Sequence, residues 1–142
     1  MSGRPSASRR TVLRGAALTP VAGLGLAACS GGDGGGGAPA TPTAPVVLGA
    51  ASEVSKGGAQ LYLDENVVVS RAENGSLKAF SSICTHAGCA INKLTGTTLV
   101  CPCHGSEFDA MTGAVLREPA TVPLHDLAVE TKAGKIVAGP GA

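Results

Sequence analysis

Short apolar runs separated by polar, turn-forming clusters fill the chain beyond residue 45. Val46-Val47-Leu48 opens the series, and Gln60 to Leu63 and Val67 to Arg71 follow on either side of Asp64-Glu65-Asn66. These runs are too short for helices and rich in residues that suit a pleated surface, so each predicts a strand. Leu77 to Ile83 is another, reached through Glu73-Asn74-Gly75-Ser76, where the Asn-Gly pair supplies the positive φ values of a tight hairpin turn. Thr97 to Val100 runs directly into Cys101, which therefore hangs from the end of a strand. Leu127 to Thr131 and Lys135 to Ala138 flank Lys132-Ala133-Gly134, a further hairpin signal. Helical periodicity is sustained nowhere in this region. The pattern predicts an antiparallel, all-β domain.

Composition sharpens that picture. A chain of 142 residues has room for one domain and little more. Aromatic residues make up only 2%, with no Trp, one Tyr and two Phe, so Val, Leu, Ile and Ala must fill the core. The 21 Gly and 9 Pro call for many turns, which again favours strands.

The first 28 residues read as an address rather than as structure. Ser8-Arg9-Arg10-Thr11-Val12-Leu13-Arg14 precedes a mainly apolar stretch from Gly15 to Ala28 that Pro20 interrupts. That run is short for a membrane span and fits the apolar part of a signal peptide. The Arg pair resembles the twin-arginine export signal, and Leu26-Ala27-Ala28-Cys29 resembles a bacterial lipobox, which implies cleavage before Cys29 and a lipid on its sulfur. Residues 29–45 are mostly Gly, Ala, Pro and Thr. They cannot bury a core and are expected to form a flexible tether, on the order of 20–25 Å in root-mean-square span. The four charged residues of 1–28 are all Arg, so seven of eleven basic residues remain against ten acidic ones, a formal charge of −3 for the mature part. Such a chain, without a basic stripe or stacking aromatics, is a poor nucleic-acid binder.

The chemistry is concentrated in two loops, Cys84-Thr85-His86-Ala87-Gly88-Cys89 and Cys101-Pro102-Cys103-His104-Gly105-Ser106. Each offers a Cys and a His at close spacing. Two thiolates and two imidazoles suit zinc, or an iron–sulfur cluster in which two His replace two Cys on one iron. The second arrangement is the Rieske centre, and both loops resemble it along their whole length. Zinc sites usually space paired ligands more widely than Cys84-x-His86.

The resemblance implies a Rieske-like antiparallel β sandwich base, from about 46–81 and 117–139, carrying a small cluster-binding subdomain at about 82–116 within a domain over 46–142. It implies a [2Fe-2S] cluster with Cys84 and Cys101 on the inner iron and His86 and His104 on the outer one. Two ferric ions, two sulfides and two thiolates sum to zero formal charge with neutral His, whereas an all-Cys set is two units more negative and harder to reduce. It also implies a disulfide between Cys89 and Cys103, found in the high-potential branch, and a second shell of Ser106, Phe108 and Pro119. Ser106 stands where the family places a hydroxyl on a cluster sulfide. Phe108 stands where the respiratory branch often has a Tyr, and Pro119 in a loop that covers the cluster. His125 has no ligand at metal spacing and reads as a surface residue; Asp109, Met111 and Thr112 read as a turn out of the subdomain.

Nothing in the sequence resembles a substrate pocket, a second metal or an activated nucleophile. The expectation is one-electron transfer at the outer face of a bacterial membrane, anchored by lipidated Cys29. The redox partner is left open between a quinol-oxidising complex, the large subunit of an oxidase and another cell-surface electron-transfer chain. Two alternatives stand beside it: the ferredoxin component of a ring-hydroxylating oxygenase, and a structural zinc module. A disulfide and an export signal both argue against the cytoplasmic ferredoxin.

Overall fold

A computed structural model describes residues 38–142. The expected signal over 1–28, Cys29 and the tether through residue 37 lie outside the described residues. Within them are ten strands: β1 (Val46–Ala50), β2 (Gly58–Tyr62), β3 (Val67–Arg71), β4 (Leu77–Ser81), β5 (Lys93–Thr95), β6 (Thr98–Val100), β7 (Glu107–Asp109), β8 (Val115–Arg117), β9 (Asp126–Lys132) and β10 (Lys135–Gly139). Among the described residues no helix is long and apolar enough to cross a membrane. The fold is all-β and antiparallel, as the run pattern predicts.

The strands divide into two sheets that match the expected base and insert. The base has six strands in the order β1-β10-β9-β4-β3-β2, and the insert four in the order β5-β6-β7-β8. Adjacent strands are about 4.8 Å apart, so in a flat sheet β1 and β3 would be roughly 19 Å from each other. Yet Leu48 of β1, Ile136 and Ala138 of β10 and Val67 and Val69 of β3 share one apolar core. The six-stranded sheet therefore doubles over on itself, and that is how one sheet makes a sandwich.

A second core lies under the insert. It joins Val68 and Phe80 of the base to Ile91, Leu99, Phe108 and the sulfur-bearing Cys84 and Cys101. Strand β3 thus faces both cores: Val67 and Val69 point to one, Val68 to the other, and all three are completely buried. An unbroken Val-Val-Val run is what a strand covered on both faces requires. Strand β4 repeats the division, with Ala79 in the base core and Phe80 in the insert core.

Three short strands, β5, β7 and β8, are absent from the pattern-based reading. Each has three residues, too few for alternation to register. Asp109 ends β7, and the turn expected there follows: its carboxylate accepts the Met111 N–H at 2.9 Å and the Thr112 hydroxyl at 2.7 Å.

The last residues of the expected tether are held on the base. Thr41 and Ser81 share a hydroxyl–hydroxyl hydrogen bond of 2.7 Å, and Asn66 Nδ2 donates to the Ala40 carbonyl at 3.2 Å. The β9–β10 hairpin turns through Ala133 and Gly134 with Lys132 opposite Lys135, and both turn residues have positive φ, 49° and 76°. Gly takes that conformation freely, but Ala does so at a cost of about 1–2 kcal/mol. Replacing Ala133 by Asn, which tolerates it better, should stabilise the protein by about 0.5–1 kcal/mol, read as a higher urea midpoint at unchanged slope.

Candidate metal centre

The two loops have the same backbone construction. In the first, the Cys84 N–H donates to the Cys89 carbonyl at 2.8 Å and the Gly88 N–H to the Cys84 carbonyl at 2.9 Å. In the second, the Cys101 N–H donates to the Ser106 carbonyl at 2.9 Å and the Gly105 N–H to the Cys101 carbonyl at 3.1 Å. Each closes a six-residue ring whose fifth residue is a glycine, with φ of 74° at Gly88 and 76° at Gly105. Closing the ring needs that left-handed residue, which is the physical role of the glycine that follows the His in each loop.

The rings sort the candidate ligands by depth. Cys84 and Cys101 are free thiols, each 2% exposed, and both belong to the insert core. His86 and His104 are exposed at the surface. Their rings meet edge to face with centroids 4.7 Å apart. Burial pushes the Cys101 thiol up, and the neighbouring Cys84 sulfur adds to the rise, while backbone N–H groups of Cys103 and His104 pull it down. Two buried thiols side by side, with N–H groups aimed at one of them, are poor neutral packing and a good setting for thiolates on a cation. Two soft donors below and two imidazoles above fit a cluster with chemically different irons.

Cys89 and Cys103 form the disulfide, with Cα atoms 6.6 Å apart. It ties the end of the first ring to the middle of the second. The sulfurs of Cys89, Cys101 and Cys103 all lie within 4.8 Å of one another. As a metal site that trio fails, because the two disulfide sulfurs have no thiolate to offer; only Cys101 in it is a ligand candidate.

A third segment, residues 118–124, straps both rings. The buried Ser106 hydroxyl oxygen accepts the Ala120 N–H at 3.0 Å, and the Thr85 hydroxyl donates to the Val122 carbonyl at 2.6 Å. Further along, the Leu124 N–H donates to the Gly113 carbonyl at 2.9 Å. Accepting from Ala120 leaves the Ser106 hydroxyl its own proton to donate. Pro119 is exposed on the strap, beside the fully covered Ala120. Phe108 has no exposed surface and packs in the same core as Cys84 and Cys101. His125 is exposed, and only its carbonyl is engaged, by the Ser81 N–H at 2.9 Å.

Thr85 and Val122 are the contacts that reading the sequence missed. A hydroxyl between two ligand candidates was a signal for Thr85. Its partner is a backbone carbonyl, which leaves no mark on residue identity.

Comparison with known proteins agrees with this geometry. The model of the Rieske [2Fe-2S] domain family matches residues 44–136. The cytochrome b6-f complex iron-sulfur subunit of Chlorobaculum tepidum is 36% identical over 95 residues, which is 65% of this chain and 51% of that protein. The chain thus spans about half the length of that relative. Among solved structures, the plasma membrane Rieske protein of the cyanobacterium Synechocystis PCC 6803 is 34% identical at a TM-score of 0.52, covering 66% of this chain and 97% of that one. The ferredoxin of carbazole 1,9a-dioxygenase from Nocardioides aromaticivorans is 26% identical at a TM-score of 0.50, covering 70% and 99%.

Proposed function

The chain belongs to the Rieske [2Fe-2S] domain family, and from that premise we propose that it is a one-electron carrier held by lipidated Cys29 at the outer face of a bacterial membrane. The observation that carries the reading is the pairing of two buried thiols with two exposed, touching imidazoles on loops joined by a disulfide. Bound there, the cluster supplies a one-electron couple at a potential above that of all-Cys ferredoxins. Cys84 and Cys101 would hold the inner iron and keep it from water. His86 and His104 would hold the outer one and make the face that a redox partner touches. Each imidazole keeps a second ring nitrogen at the surface, where it can donate a hydrogen bond or exchange a proton with that partner. Ser106, fixed by Ala120, would donate its proton to the cluster.

The partner, on this reading, is a membrane quinol-oxidising complex or an oxidase large subunit. The disulfide supports an oxidising compartment over the cytoplasmic setting of an oxygenase ferredoxin. The twin-arginine pattern supports the same compartment, since that route carries proteins already folded. Replacing Cys29 by Ser should move most of the protein from the membrane fraction to the soluble one; unchanged fractionation would rule out the lipid anchor.

Electron paramagnetic resonance of the reduced protein, together with a redox titration, tests the cluster assignment. The expected result is a Rieske-type signal and a potential above about −150 mV. A colourless protein containing zinc would overturn it.

Phe108 sets a second expectation. A Tyr hydroxyl at this buried position can reach toward a ligand sulfur, and a hydrogen bond to such a charged acceptor is worth about 1–2 kcal/mol. Because about 59 mV corresponds to a tenfold change for one electron, Phe108→Tyr should raise the potential by roughly 40–90 mV. An unmoved potential in the titration would remove Phe108 from the account.

A further inference from the structure

We propose that Cys101 is also the nucleophile of an internal thiol–disulfide exchange, which iron at this site holds in check. Its sulfur lies within 4.8 Å of both sulfurs of the Cys89–Cys103 bridge. The thiol and the disulfide therefore share one folded setting and need no diffusing reagent to meet. At 2% exposure Cys101 is shielded from thiols and oxidants in solution, so the disulfide within its reach is the internal bridge.

The step conserves electrons. The Cys101 sulfur loses its proton as it attacks Cys89. The Cys89–Cys103 bond breaks as the Cys89–Cys101 bond forms, and the Cys103 thiolate departs and takes up a proton. One disulfide and one thiol enter; one of each leaves. Attack falls on Cys89 for two reasons. Cys103 is exposed whereas Cys89 is half-buried, so Cys103 is the better solvated leaving group, and a more stable leaving thiolate departs faster. Attack on Cys103 would instead close a ring across Pro102 alone, whose φ is locked.

The consequence rests on the ligand assignment made above. While iron occupies the Cys101 sulfur, its lone pairs are engaged and the bridge stays where it is. Once iron leaves, exchange converts a ligand into half of a disulfide and exposes Cys103 in its place. The site then cannot be reloaded until the exchange runs back, with the Cys103 sulfur attacking Cys89 and releasing Cys101. In the compartment proposed above, exchange therefore competes with reloading, which suits a protein that must receive its cluster before export.

The test uses the full-length protein, loaded and after iron removal by a chelator, kept free of oxygen and of added thiols. Samples taken over time are denatured in acid, alkylated with N-ethylmaleimide, digested without reduction and mapped by fragmentation mass spectrometry on the peptides from Cys84 to Cys103. In the metal-free protein the label should move from Cys101 to Cys103 while Cys84 stays labelled and the thiol total is constant. The loaded protein should keep Cys84 and Cys101 as its labelled pair, and Cys101→Ser should keep the original bridge. A label that remains on Cys101 in the metal-free protein would overturn the exchange, as would release of Cys89 or a fall in the thiol total. Equal rates in the loaded and metal-free proteins would instead overturn the protective role of iron and, with it, the assignment of Cys101 as a ligand.

Discussion

Replacing Cys101 by Ser should give a folded protein with almost no iron or acid-labile sulfide, where the parent carries one cluster. Cys101 ends the run from β6, and its side chain is covered by the insert core. No spare thiol there can substitute for it, because Cys84 is itself a proposed ligand and Cys89 and Cys103 are consumed in the disulfide. A Ser hydroxyl is a far weaker iron donor than a thiolate, and the three other proposed ligands would leave one iron under-held. The base should survive the change, since its own core of Leu48, Val67, Val69 and Ile136 contains no ligand. Iron and sulfide analysis beside far-ultraviolet circular dichroism separates the two outcomes. Normal iron content with a shifted spectrum would mean that some other group binds the cluster, and the ligand set would have to be redrawn.

The second large effect is expected from the disulfide. Removing it as the double variant Cys89→Ala/Cys103→Ala should cost about 3 kcal/mol, the chain-entropy value for a loop of this length, whose ends are separated by 14 positions in the chain. That is roughly a 150-fold change in the folded-to-unfolded ratio at about 1.4 kcal/mol per tenfold. The loss should appear as a lower urea midpoint and as faster bleaching of the cluster. The geometry also supplies a rival. Thr85 on Val122 and Ser106 on Ala120 already fasten both rings to one strap. A cost below about 1 kcal/mol would assign the closure of the rings to those hydrogen bonds. Thr85→Val should then weaken the double variant further than it weakens the parent, because the two fastenings act on the same loop.

Much of this molecule is legible from residue order because its signals are local. The Val67–Arg71 strand was predicted with the bounds observed, and the Leu77 and Lys135 strands differ only at their ends. Alternation, β-branched content and the Asn74-Gly75 turn are properties of neighbours in sequence. The division into a base and an insert rests on resemblance, and the chain forms a six-stranded and a four-stranded sheet. Strands β5, β7 and β8 escaped because three residues carry too little pattern. They form because β6 offers hydrogen-bonding edges to Lys93–Thr95 and Glu107–Asp109, and that depends on the chain returning to the same place.

By itself, then, the sequence determined that candidate donors, two Cys and two His, sit on a pair of short loops. It also determined that the chain is built from short strands, because each such property resides in a few consecutive residues. Only the tertiary structure decided how those pieces act on one another. It doubled the six-stranded sheet so that Leu48 meets the β3 valines, and it gave β3 two buried faces. It laid residues 118–124 across both rings, and it set the Cys101 sulfur beside a disulfide whose halves lie 14 residues apart. These contacts join positions far apart in the chain. Which distant groups meet is settled by packing, where the burial of whole faces outweighs any one residue's preference.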